Sequence, residues 1–442
     1  QTHNKMKLVI LVAFTVALFA GLLASGDPSY DHQTRTYHSQ FIPATFTGDI
    51  TITPFFSPDH SITELTALVE SAKEYLDIGT PGWGSWSGCT QFNTQCVGCT
   101  VAFMKANESF PIWQATLNAL HRGVQVRILT NDYNTPDCAG EISPLTYLLE
   151  AGATIRYYST TTFMHDKYIS VDKKTTSVSS VNFSFTSFME NREAGMILSG
   201  TAASGAIKFI GSVFDYDFTH GIVYKAFHTY TSAELAMIHD KTPVPITMPK
   251  IRVYKYCNAT SPKPYGHTGN TDLTAFPSPD LSFSTVMDGL KSAKKSFYLS
   301  IYQITDSDFC NQLITMHKNG IQVYMVVSNQ IYSPHDQAAA NQCYNTLVSA
   351  GIVVRKTHKY CLTYSHEKYW IIDENTVFMS SGNWSPTDFP GPPMTFPPHS
   401  ESGWRDVNRD MNLKVQKKSV VATFESLFWQ DWNQGYDYKP NA

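Results

Sequence analysis

The pattern His-x-Lys-x-x-x-x-Asp occurs twice in this chain, at His165–Asp172 and at His366–Asp373. Each copy is followed, at the same distance, by Ser-Ser-x-Asn: Ser179-Ser180-Val181-Asn182 in the first half and Ser380-Ser381-Gly382-Asn383 in the second. Each half then carries an Asn-Arg-acid triplet, Asn191-Arg192-Glu193 and Asn408-Arg409-Asp410. A duplication that keeps reactive residues in step points to one structural unit built twice.

The segments after each histidine are apolar and β-prone (Tyr168-Ile169-Ser170-Val171; Tyr369-Trp370-Ile371-Ile372), which predicts a buried strand in both places. Side chains alternate faces along a strand, so His165 and Lys167 share one side, as do His366 and Lys368. Asp172 and Asp373 follow their histidines by an odd step and are expected to brace the structure rather than touch substrate. Asn182 and Asn383 could reach the same pocket as the histidines.

The echo extends beyond the motifs. Helix-like Ser61 to Ala72 leads into Tyr75-Leu76-Asp77-Ile78, and Ser284 to Ala293 leads into Phe297–Ile301. Leu120–Leu129 is matched by Met316–Val327, and Leu148–Arg156 by Leu347–Arg355, each ending a helix at Gly before a hydrophobic strand. Helix, Gly, strand, repeated, predicts an α/β fold of two pseudo-twofold lobes, each a mixed β-sheet flanked by helices. Expected boundaries are a first lobe over 27–241, a proline-dotted linker region over 242–279 and a second lobe over 280–442. Two insertions break the symmetry, Pro81 to Thr100 and Ser385 to Val407. Both are rich in aromatic residues and are placed to rim a site, or else to lie as surface loops.

Composition narrows the setting. The net charge of −4 argues against a protein that coats duplex nucleic acid by charge alone, so any polyanion is gripped locally. Lys5 and Lys7, an apolar run from Leu8 to Ala24 and Ala24-Ser25-Gly26 read as a signal peptide over 1–26, with an uncleaved signal anchor as the alternative. Eight cysteines fit disulfides paired within each half in an oxidising compartment. Cys96 and Cys99 make a poor zinc site, since no second close pair completes it. Asn107 and Asn258 head sequons for N-glycans.

At the paired motifs the chain resembles the phospholipase D superfamily, and the likeness covers both halves. One departure is the pair Ser179 and Ser380, where that family usually has Gly. The resemblance implies that both motifs meet at one site and cleave a phosphodiester without metal or cofactor. Such cleavage needs charge neutralisation, a nucleophile and a proton donor. Lys167, Lys368, Asn182 and Asn383 would hold the non-bridging oxygens. His165 is expected to form a phosphohistidine and His366 to act as general acid and base, an order the near-symmetry leaves reversible. Glu193 and Asp410, with Ser180 and Ser381 in support, would hold the imidazoles; the alternative for the acids is a surface pair with the adjacent Arg. The chain is nearest in type to the lumenal, lysosomal branch, which includes 5′-exonucleases on single-stranded DNA and RNA. The other reading is a phospholipase D that hydrolyses or transphosphatidylates glycerophospholipids, with aromatic contacts to a membrane surface.

Overall fold

The structure is a computed structural model; it describes residues 28–440 apart from 32, 84–99, 107–110, 132–141, 159–161, 227, 251–259, 359 and 397–406. The signal segment, Asn107, Asn258 and five of the eight cysteines therefore lie outside the described residues. Cys310 and Cys343 form a disulfide within the second half, and Cys361 is also disulfide-bonded. No helix among the described residues is long and apolar enough to cross a membrane.

A short hairpin of β1 (Tyr30–Asp31) and β2 (Thr36–Tyr37) precedes β3 (Ala44–Asp49). The first lobe runs β4 (Thr51–Ser57), α1 (Ser61–Glu70), β5 (Tyr75–Gly79), α2 (Val101–Ala106), α3 (Pro111–His121), β6 (Gln125–Thr130), α4 (Pro144–Glu150), β7 (Thr154–Tyr157) and β8 (Thr162–Met164). It continues through β9 (Tyr168–Val171), β10 (Thr175–Ser179), α5 (Phe185–Met189), β11 (Glu193–Ser199), α6 (Ser204–His220) and β12 (Ile222–Val223). After α7 (Ser232–Ile238) the second lobe repeats the theme with β13 (Asn270–Ser278), α8 (Ser282–Ser292), β14 (Ser296–Ile301), α9 (Ser307–Lys318), β15 (Gln322–Val327), α10 (Pro334–Ser349) and β16 (Val353–Lys356). It ends with β17 (Lys368–Ile372), β18 (Thr376–Ser380), β19 (Val407–Gln416), α11 (Lys418–Gln434) and β20 (Tyr436–Asp437).

The two sheets have matching orders, β12-β7-β6-β5-β9-β10-β11-β4 and β20-β16-β15-β14-β17-β18-β19-β13-β3. Each is mixed: β5, β6 and β7 run parallel, as do β14, β15 and β16, while the motif strands β9 and β17 pair antiparallel with β5 and β14. These are the two mixed, helix-flanked sheets that the repeated grammar predicts. Two elements cross the boundaries drawn from composition. β3 falls inside the stretch expected for the first lobe, 27–241, yet joins the second sheet by pairing with β13, and β13 itself lies within the stretch read as linker. Pro277 sits near the end of that strand, where the register still runs through to Ser278 against β19.

The motif strands are buried on both faces, which is why they read as unbroken apolar runs. Tyr369 and Ile371 pack into a core shared by both lobes, whereas Trp370 and Ile372 face the second lobe's own core. The shared core also takes Ile207, Ile210 and Phe214 from α6 and Phe424, Leu427 and Phe428 from α11. The lobes are therefore joined by apolar burial, not by a linker alone.

Asp172 and Asp373 face away from the shared region. The Asp172 carboxylate accepts from the backbone N–H of Lys73, Glu74 and Tyr75, and Asp373 accepts from Lys294, Lys295 and Ser296. Each ties a β-turn to the start of the adjacent antiparallel strand, β5 or β14.

Two buried arginines cross between lobes. Arg192 makes a two-pronged contact with Asp431 of α11 at 3.0 and 2.9 Å and donates to Ser57 O at 3.2 Å. Arg409 mirrors it, reaching Asp217 of α6 at 2.9 Å, Asp280 at 2.7 Å and Ser278 O at 2.9 Å. Removing one partner of a buried pair strands a charge away from water. Arg192→Ala is expected to cost about 3–5 kcal/mol in guanidinium unfolding, and a loss below about 1 kcal/mol would show that the pair does not hold the lobes.

Candidate active site

Cross-lobe backbone pairing positions both histidines. β8 lies parallel to the start of β19, and His165 N–H donates to Arg409 O at 2.9 Å. In the mirror contact His366 N–H donates to Arg192 O at 2.7 Å. Each histidine thus sits beside the Asn-Arg-acid triplet of the opposite lobe. His165 Nδ1 lies 2.9 Å from Asp410 Oδ1 and 3.0 Å from Asp388 Oδ1. His366 Nδ1 lies 2.8 Å from Glu193 Oε2. With Nδ1 occupied, Nε2 is the nitrogen each ring has left for a substrate.

Glu193 and Asp410 are fully buried, and their neighbouring arginines pair elsewhere, so the surface ion pair with Arg does not exist. The reason is the alternation of extended chain: adjacent residues of β19, and of the segment entering β11, face opposite ways. Ser180 Oγ donates to Glu193 at 2.6 Å and Ser381 Oγ to Asp410 at 2.7 Å. Ser179 and Ser380, in place of Gly, turn their hydroxyls to the backbone N–H two residues on, at 3.3 and 2.8 Å. Gly382 is required by close approach, because a Cβ there would lie 2.7 Å from Asp410 Oδ2.

His165, His366, Asn182 and Asn383 line one cavity of about 1010 Å³, with Phe163, Phe183, Tyr302, Tyr332 and Tyr364 among its walls. Asn383 is carried by Trp384, which is fully buried against Phe309 and Trp370. Phe183 takes the equivalent place beside Asn182, against Trp83. Neither Asn182 Oδ1 nor Asn383 Oδ1 has a hydrogen-bond partner among the described residues. Lys167 and Lys368 lie beneath, 1% and 0% exposed, each held by the carbonyl of its own histidine. The described ends of the two insertions reach the rim through Pro81, Gly82, Ser385, Pro386, Thr387 and Asp388.

Burial dominates the electrostatics. It pulls Lys167 down to about 8 and Lys368 to about 7, against the nearby carboxylates. Burial and Lys368 bring His366 down to about 4 despite Glu193. For His165, burial and Lys167 oppose protonation, but Asp410 and Asp388 outweigh them and its pKa is raised. Lysines this close to neutrality gain charge when an anion is brought beside them. Among the described residues, only His165, Asp388 and Asp410 have the spacing of a metal-ligand set, and there His165 Nδ1 is engaged with one oxygen of each carboxylate.

A family profile described as "Cardiolipin synthase, PLD-like domain" matches residues 90–211 and 286–432. The chain belongs to the phospholipase D family. A 5'-3' exonuclease PLD3 of Xenopus tropicalis is 21% identical over 467 residues, covering 98% of this chain and 86% of that protein. A mitochondrial cardiolipin hydrolase of Xenopus laevis is 26% identical over 145 residues, covering 32% of this chain and 59% of that protein. Phosphatidylserine synthase of Haemophilus influenzae shares the fold over 89% of this chain and 90% of its own, with a TM-score of 0.56 at 12% identity. The phospholipase D site in this chain is that of a phosphoric diester hydrolase.

Several residues escaped the sequence reading. Asp388 stands five residues after Asn383, where the first lobe has Ser187 after Asn182. The arginine anchors were marked by a repeated Ser-Pro-Asp, at Ser57-Pro58-Asp59 and Ser278-Pro279-Asp280. Asp166 and Glu367, between His and Lys in each motif, are buried acids. Burial and Asp410 push Asp166 up to about 7, and burial and Asp431 push Glu367 up to about 8.

Replacing His165 or His366 with Ala is expected to lower kcat at least ~10³-fold with folding intact by circular dichroism. A variant near the full rate would remove that histidine from the chemistry. Because the folded Glu367 carboxyl lies above its ordinary 4.5, its contribution to stability is complete below that value and is lost as pH rises toward 8. Glu367→Gln should therefore flatten the decline in Tm between about pH 5 and pH 8 by on the order of a few degrees. Equal declines in both proteins would refute the raised carboxyl.

Proposed function

We propose that the chain is a metal-independent phosphodiesterase that works through a covalent phosphohistidine and acts as a 5′-3′ exonuclease on single-stranded DNA or RNA. The observation that carries the reading is the meeting of two imidazoles, one from each lobe, at one cavity above two buried ammonium groups. One imidazole attacks phosphorus, and the other protonates the leaving oxygen and then activates water. Lys167, Lys368, Asn182 and Asn383 would neutralise and orient the non-bridging oxygens. Asp172 and Asp373 brace the strands that bear them.

Two points favour a nucleic acid. The exonuclease relative matches nearly the whole chain, while the cardiolipin hydrolase relative matches about a third of it. The aromatic wall suits stacked bases, which need no sequence-specific contact. The same wall would take an acyl chain, which keeps phospholipase D activity as the second reading. Lumenal or extracellular residence agrees with the Cys310–Cys343 disulfide, with N-glycans at Asn107 and Asn258 as further expectations.

Purified protein offered a 5′-hydroxyl single-stranded oligonucleotide, at acid and neutral pH, should release nucleotides at the same rate with and without EDTA. Phosphatidylcholine with ethanol is the contrasting substrate. Phosphatidylethanol with no nucleotide release would overturn the nuclease reading, and loss of activity in EDTA would overturn the metal-free mechanism.

A further inference from the structure

The two lobes present the same backbone to the cavity with one decisive difference in side chain. In the first lobe Ser187 N–H donates to Ser184 Oγ at 3.3 Å; in the second, Asp388 N–H donates to Ser385 Oγ at 3.1 Å. The capped turns are equivalent, and each begins two residues after the cavity asparagine. Only the second lobe places a carboxylate there. His165 consequently faces two carboxylates through one nitrogen, while His366 faces one.

We propose that Asp388 breaks the symmetry of the site and sets the order of catalysis: His165 is the imidazolium that protonates the leaving oxygen, and His366 is the nucleophile. This reverses the order that family resemblance implies, and it rests on the two-histidine reading above. Asp388 touches no reacting atom; it is a positioning residue that acts through His165.

The groups around each ring agree. His165 meets Asp410 from β19, Asp388 from the loop after β18, and Lys167 on its own segment. His366 meets Glu193 from β11, Lys368 on its own segment, Lys167 across the site, and the uncharged ring of Tyr302 at 4.8 Å. Two acids against one base favour a cation; one acid against two bases favours a neutral ring. The network around Asp388 follows suit. Asn408 Nδ2 donates to Asp388 at 2.8 Å and Ser385 Oγ donates to it at 2.5 Å, which holds that carboxylate ionised against His165. A nucleophilic imidazole must be unprotonated at Nε2 and a general acid must be protonated there, so the environments match the roles.

The chemistry then runs with atoms and charge conserved. The His366 Nε2 lone pair forms the N–P bond as the P–O bond to the leaving group breaks, and the leaving oxygen takes the proton from His165 Nε2. Neutral His165 next removes a proton from water, the water oxygen bonds to phosphorus, and the N–P bond breaks. His366 returns neutral and His165 returns protonated.

The test uses bis(p-nitrophenyl) phosphate, whose leaving group needs no proton. Alkaline quench of the full-length enzyme, followed by peptide mass spectrometry, is expected to find the phosphoryl adduct on His366. His165→Asn should release one equivalent of p-nitrophenolate and stall with that adduct, for want of a base; His366→Asn should give no burst. An adduct on His165, or a burst from His366→Asn, overturns the assignment. No adduct on either histidine in an enzyme that still turns over would instead overturn the two-histidine reading itself. For Asp388, the alkaline limb of kcat/KM on the oligonucleotide should move down by roughly one pH unit in Asp388→Asn and return in Asp388→Glu. An unmoved limb removes Asp388 from the proposal, and adduct mapping on the unaltered enzyme needs no variant to fold.

Discussion

Neither imidazole in this site is held by its own lobe. The backbone N–H of each histidine is spent on a carbonyl of the opposite triplet, and the ring is then held by the carboxylate one residue further on. Docking of the lobes and preparation of the site are therefore one event. The apolar core between the sheets supplies the driving force, and the exchanged hydrogen bonds convert it into angular precision.

The triplets show how a two-residue period can separate two tasks. At the start of β11, Glu193 turns toward the cavity while Arg192, just before it, turns toward α11; on β19, Asp410 and Arg409 divide in the same way. The acid tunes the chemistry and the arginine secures the partner lobe. Because these are neighbours on one strand, a shift of register would lose both functions together. The two buried ammonium groups and two further buried acids, Asp166 and Glu367, make the centre sensitive to proton activity well beyond the histidines themselves.

Much of this was legible in the chain because duplication is a strong signal. Two copies of His-x-Lys, Ser-Ser-x-Asn and Asn-Arg-acid sort residues by role even without coordinates, and helix-Gly-strand echoes outline the sheets. What stayed hidden depends on contacts between distant segments. Proline content suggested that 242–279 lacks regular structure, yet residues 270–278 form a strand that is paired on both edges. The apolar alternation of Leu273, Ala275 and the neighbouring strands outweighed the proline. Asp388 was hidden for the opposite reason: its value lies in a difference between the copies, whereas a search for repeats rewards sameness. Asp431 and Asp217, which pair with Arg192 and Arg409, are on helices with no motif of their own, so only tertiary packing reveals them.

The position of β3 carries one more implication. This strand is made before any of the first lobe, yet it closes the far edge of the second sheet, so it must wait for β13. A ribosome that stopped after the first lobe would release a chain with an unpaired strand and with His165 lacking both of its carboxylates. Premature products of this gene would thus be chemically silent, and competence arrives only when the last sheet is complete.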